Sequence, residues 1–168
     1  MKIKQNYLKV GLALTALALL PLAYPAMAKD QVPFKGVEVG ELTGGPFNFP
    51  IATIFVVAEG EATHLGHFTV TGEYLVDVTD GTATGTFTIT AANGDMLFIS
   101  SIGHALQPPT LKETVEDVTV TGGTGRFKGA TGSWFMDTHV EFVFGETPTD
   151  PYVATLVGTI SIPGANKK

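Results

Sequence analysis

The 168-residue chain contains no cysteine. That excludes disulfides, thiolate catalysis, a lipid-modified cysteine and any zinc or iron–sulfur site built on cysteine. There is no Asn-x-Ser/Thr acceptor for glycosylation. Charged residues make up only 15% of the chain, and 10 Lys and Arg stand against 16 Asp and Glu. This acidic balance repels a phosphate backbone, so nucleic acid is not an expected partner. No long window carries the 3-4 apolar spacing of an amphipathic helix. The serines that lie in apolar stretches, Ser100, Ser101, Ser133 and Ser161, lack the Gly-x-Ser-x-Gly elbow of an activated nucleophile.

The first residues read as an address. Lys2, Lys4 and Lys9 make a basic start, Val10 to Leu22 an apolar run, and Ala26-Met27-Ala28 a small-x-small cleavage site. The run is shorter than the ~20 residues a bilayer-spanning helix needs, and Pro21 and Pro25 follow it. The expectation is a signal peptide over 1–28 and one domain over 29–168, not membrane-spanning after cleavage. Losing three of the ten basic residues leaves seven against 16 acidic ones, a net charge of −9. A leader, no cysteine and no glycosylation acceptor together point to a secreted or periplasmic bacterial protein.

Beyond residue 28, short stretches of Val, Ile, Phe and Thr alternate with Gly, Pro, Asn and Asp, which is the punctuation of an all-β chain. From His67 to Asp77, Phe68, Val70, Gly72, Tyr74 and Val76 share one face, with Thr69, Thr71, Glu73 and Asp77 on the other. Asp80-Gly81 turns this strand into Thr82 to Ala91, whose faces are all Thr on one side and Ala83, Gly85, Phe87, Ile89 and Ala91 on the other. Asn93-Gly94 then closes a hairpin onto Met96 to His104. Further strands are expected at Phe34 to Leu42, Ile51 to Thr63, Thr114 to Thr121, Ser133 to Phe144 and Tyr152 to Ile162. Gly44-Gly45-Pro46 and Gln107-Pro108-Pro109 read as loops within the domain. The total predicts a small antiparallel barrel of about eight strands. An outer-membrane barrel shares the alternation, but the Ala and Gly face of Thr82 to Ala91 suits a crowded interior better than a lipid-facing band.

The segment Gly122-Gly123-Thr124-Gly125-Arg126-Phe127-Lys128-Gly129-Ala130-Thr131-Gly132 resembles the Gly-Gly-Thr-Gly-x-Phe-x-x-Ala-x-Gly corner of the allene oxide cyclase and dirigent barrel superfamily, including its exported bacterial members of unassigned role. Glycines there permit a tight inter-strand corner, with Phe127 expected to plug one barrel end above Ala130. The resemblance implies the barrel, and dimers or trimers; no residue of this chain aligns with the family's catalytic side chains. The corner is no phosphate cradle, because Lys128 stands where a third glycine would be needed and a strand follows instead of a helix.

Candidate chemistry is sparse. His64 and His67 follow Glu59 and Glu61, but two clustered imidazoles fall short of the three or four ligands a metal needs, so no metal is expected. Asp137, His139 and Glu141 share a strand face opposite Trp134, Met136, Val140 and Phe142, which directs that triad to solvent. His104 and His64 are the candidate catalytic residues, with His104 the stronger if it faces inward. Phe55, Phe68, Tyr74, Phe87, Trp134 and Phe142 are expected inside, lining a cavity or filling it. The sense of Ile51 to Thr63 is ambiguous, because Phe55 and Val57 share a face with Glu59 and Glu61. The leading expectation is a cofactor-free exported barrel binding a small, mainly apolar molecule. A cofactor-free isomerase or cyclase resembling allene oxide cyclase, or a filled barrel with a structural or adhesive role, are the alternatives; a buried His or carboxylate inside the cavity would favour the isomerase, and a cavity with only apolar walls would exclude it.

Overall fold

The computed structural model describes residues 31–107, 110–141 and 149–163, without the side chains of 107, 110 and 111. Eight strands run in sequence order: β1 (Val32–Asn48), β2 (Ile51–Ala62), β3 (Gly66–Asp77), β4 (Thr82–Ala91), β5 (Met96–Gln107), β6 (Thr110–Gly123), β7 (Thr131–Val140) and β8 (Thr149–Ser161). Each pairs antiparallel with the next, and β8 returns to β1, so the sheet closes on itself. Closure leaves no free edge among these strands. Among the described residues no helix is long and apolar enough to cross a membrane.

The strand alternation decides what is inside. On β4, Gly85, Phe87, Ile89 and Ala91 are buried while the threonines face out. Phe87 fits because glycines face it: a Cβ on Gly72 or on Gly85 would stand 2.4 Å from its ring. The expected turns form at Gly81 and Gly94, with φ of 76° and 83°. Residues 44–48 differ from the expected loop. They continue β1, and the Gly44-Gly45-Pro46 segment is a bulge between Gly44 and Phe47 in the pairing with β2.

The two ends of the barrel are unlike. One is closed by the glycine-rich corner between β6 and β7, where a single 3₁₀ turn, Gly125–Phe127, buries Phe127 completely. Leu65, Phe34, Ala130 and Ile160 pack into the same core cluster. The other end carries the β1–β2 and β3–β4 turns. On the outer surface, Val37 and Val39 of β1, Val57 of β2 and Val153 and Val157 of β8 stay exposed on adjoining strands.

Candidate functional site

The inner face of β1 runs Phe34, Gly36, Glu38, Gly40, Leu42, and that of β6 runs Glu116, Val118, Val120. Period-two alternation thus drives two glutamates into the barrel, and they are only 6% and 4% exposed. Each is met by a tyrosine. On β8, Tyr152 lies opposite Gly40, and its hydroxyl donates to Glu38 Oε1. From β3, Tyr74 reaches across the lumen, and its hydroxyl donates to both Glu116 oxygens at 2.8 Å. Glycines make the room: a Cβ on Gly40 would stand 2.8 Å from the Tyr152 ring, and one on Gly103 would stand 2.4 Å from Glu116 Cγ.

Burial sets the charge state of this cluster. Loss of solvent pushes the Glu38 carboxyl up to about 7; the Tyr152 hydrogen bond pulls the other way, and the charge of Glu116 adds to the rise. Glu116 is raised chiefly by burial, against the lowering effect of the Tyr74 hydroxyl and the neighbouring Ser101. Both tyrosines are pushed above the ordinary phenol range, first by burial and then by the carboxylates they face. Ser101 Oγ lies beside Glu116 yet falls outside hydrogen-bond geometry. Trp134 Nε1 and Thr138 Oγ1 are likewise buried without a hydrogen-bond partner among the described residues.

Two cavities meet at the tyrosines. The outer one opens at the barrel end opposite the glycine-rich corner, and apolar side chains such as Leu42, Ile54, Val76 and Val140 wall it above Tyr74, Glu116, Tyr152 and Thr138. It offers about 50 Å³ to the centre of a water-sized sphere. The inner one, about 20 Å³, lies among Glu38, Ser101, Phe87 and Trp134, and also touches Tyr74 and Tyr152. On this measure one water needs roughly 10–15 Å³, so the interior is a narrow, two-chambered space. The larger hollows, by Thr86 and Phe98 and by Ser133 and Phe135, are open grooves bordered by exposed residues.

Of the side chains expected inside, Phe68, Phe87 and Trp134 are buried, and Tyr74 presents its hydroxyl to Glu116. Phe55 does not line the cavity. It is 43% exposed, because β2 turns Val56 and Ala58 inward and Phe55, Val57, Glu59 and Glu61 outward; its ring lies over Gly45 in the β1 bulge. Phe142 lies outside the described residues. His104 borders the pocket mouth, but its side chain is exposed, on the opposite face of β5 from the buried Gly103 and Ala105. His64 is exposed in the β2–β3 turn with a left-handed φ of 68°, and neither imidazole reaches the carboxyls. His67, Asp137, His139 and Glu141 are exposed as well, and no group of three His, Cys, Asp or Glu among the described residues could hold a metal. Glu38 and Glu116 are not among the candidates that the sequence alone offers. The available signal was period two: Glu38 shares a face with Phe34 and Leu42, and Glu116 with Val118 and Val120.

No protein-family model matches the chain, and no curated protein sequence matches it. Among solved structures, a pterocarpan synthase dirigent protein superposes with a TM-score of 0.56, covering 86% of this chain and 92% of its own, at 15% sequence identity. The fold is dirigent-like. At that identity the likeness carries the dirigent-like barrel and no residue role. It bears on the dirigent half of the resemblance at residues 122–132, while the allene oxide cyclase half and a bacterial source rest on the sequence alone.

Proposed function

We propose that this barrel takes a small, mainly apolar molecule through its open end and holds the polar part of that molecule against the buried tyrosine–carboxyl pairs. The observation that carries this reading is the pocket itself: apolar walls that descend onto Tyr74, Glu116 and Tyr152. Apolar walls with a few convergent polar groups are the general form of a small-molecule site. The unpartnered Thr138 hydroxyl on its lining adds a group for a ligand to satisfy. The filled structural barrel predicts no internal space, and the two cavities weigh against it. In the same proposal the leader-like segment 1–28 takes the protein out of the cytoplasm, and the exposed Val37, Val39, Val153 and Val157 supply a face for a homo-oligomer.

A second reading, a cofactor-free isomerase or cyclase resembling allene oxide cyclase, is favoured by one specific observation. A carboxyl held at about 7 can both give and take a proton at neutral pH, and Glu38 has that property inside the barrel. The structural neighbour is by its name a synthase.

Native mass spectrometry of the protein, taken from the exported fraction of its own host and compared before and after denaturation, tests the proposal. The expected result is an added small-molecule mass that is released on unfolding. Bare protein at every charge state, in material never exposed to detergent or organic solvent, would overturn it.

A further inference from the structure

Every group that can carry charge inside the described barrel is an acid. Glu38 comes from β1, Glu116 from β6, Tyr74 from β3 and Tyr152 from β8, and these are the titratable groups that face one another across the lumen. The described basic side chains lie elsewhere. Lys35, His64, His67, His104, Lys112, Lys128 and His139 are exposed, and Arg126 is spent on the closed end, on the Leu65 carbonyl and the Phe127 ring. The two carboxyls therefore sit out of water with phenol donors but no countercharge. The Tyr74 and Tyr152 rings carry the bonding hydroxyls, and the Phe87 and Trp134 rings border the inner cavity with Glu38, the Phe87 centroid 4.8 Å from that of Tyr74.

We infer that the ligand of this pocket is a cationic amine, an ammonium group on an apolar body, with the ammonium seated between Glu116 and Glu38 against the rings of Tyr74 and Tyr152. The inference rests on the pocket reading above and names the charge of its occupant. A carboxylate ligand would place a third acid in a space with no base. A neutral ligand gives the ionised carboxyls no partner and leaves them to be neutralised by a proton. A cation supplies the missing partner, and a ring face within about 6 Å of it adds attraction. The apolar walls toward the mouth then cover the hydrocarbon body.

The test is a calorimetric titration of the protein with n-hexylamine, n-hexanol and hexanoate, which share a chain length and differ in head group. Trp134 is the single tryptophan of the chain and borders the inner cavity, so its emission gives a second readout. At pH 8 hexylamine is expected to bind at least about ten-fold more tightly than hexanol, with no binding of hexanoate. Lowering the pH from 8 to 6 should weaken hexylamine about ten-fold, because the cation and the proton compete for a carboxyl that titrates near 7, and should leave hexanol unchanged. Glu38→Gln and Glu116→Gln, shown to be folded by cooperative urea unfolding, should lose the preference for the amine. Hexanol binding as tightly as hexylamine at pH 8, or variants that retain the preference, would overturn the amine inference and leave the apolar pocket standing. Failure of all three compounds to bind would remove the pocket reading, and the amine with it.

Discussion

Replacing Glu38 with Gln is expected to stabilise the barrel at pH 8 by up to about 3 kcal/mol and to leave its stability at pH 4 nearly unchanged. The carboxyl is held at about 7 in the folded state, raised from an ordinary 4.5, with burial as the main cause. A raised folded value means that the native protein binds the proton more tightly than the unfolded chain does. Glu38 therefore costs nothing extra below pH 4.5, where both states are protonated. Between 4.5 and 7 the unfolded chain has released its proton and the native one has not, so stability falls as pH rises, and above 7 the loss is complete. Glu116 is shifted in the same direction for the same cause, so the natural protein should lose stability over the same direction of pH change. The amide accepts the Tyr152 hydroxyl as the acid does and carries no charge to desolvate. Urea unfolding of both proteins at pH 4, 6 and 8 measures this. A Glu38→Gln variant less stable than the natural protein at pH 8 would show that the carboxylate is a net stabiliser, against the expectation.

Phe127→Ala is expected to cost about 3–5 kcal/mol, the loss typical of a large aromatic removed from a tight core. The ring is fully buried at the closed end, and the turn above it is tied to two other connections. Thr124 Oγ1 accepts from the Met96 amide at 2.8 Å, Asp95 accepts from the Arg126 amide at 3.1 Å, and the Arg126 guanidinium donates to the Leu65 carbonyl at 3.0 Å. That guanidinium also stands 4.7 Å over the Phe127 ring. Collapse into the vacated volume would pull on the β2–β3, β4–β5 and β6–β7 connections together, so the site has little freedom to relax. Phe55→Ala, on the outer face, should change stability by less than about 1 kcal/mol in the same denaturation assay. Equal losses for the two variants would contradict the placement of one ring in the core and the other outside.

Much of the barrel could be read from residue order, and the reasons are local. Threonine at every second position of β4, Asp80-Gly81 and Asn93-Gly94 each specify a face or a turn without reference to distant residues. The corner at 122–132 was legible because its glycines and Phe127 form one short segment. Phe55 was misplaced because β2 carries aromatic and branched residues on its outer face, so composition could not choose between the faces; pairing with β1 and β3 does. Glu38 and Glu116 went unread for a related reason. A glutamate between Val37 and Val39 looks like a solvent residue, and its real surroundings, Gly40, Tyr152 and Glu116, come together only when β8 closes onto β1 and β6 faces across. Glycine opposite a large inward side chain, as Gly103 is to Glu116, is a pairing in space that one strand's sequence does not display.

The acid pair inside the barrel is the centre of this account, and carbon-13 NMR of protein labelled at the glutamate carboxyls addresses it directly. Residue-by-residue assignment through Glu38→Gln and Glu116→Gln would identify the two resonances. Glu38 is expected to titrate with a midpoint at about 7, and Glu116 above the ordinary carboxylate range. Both resonances titrating in the ordinary carboxylate range would place the carboxyls in water and contradict a buried acid site.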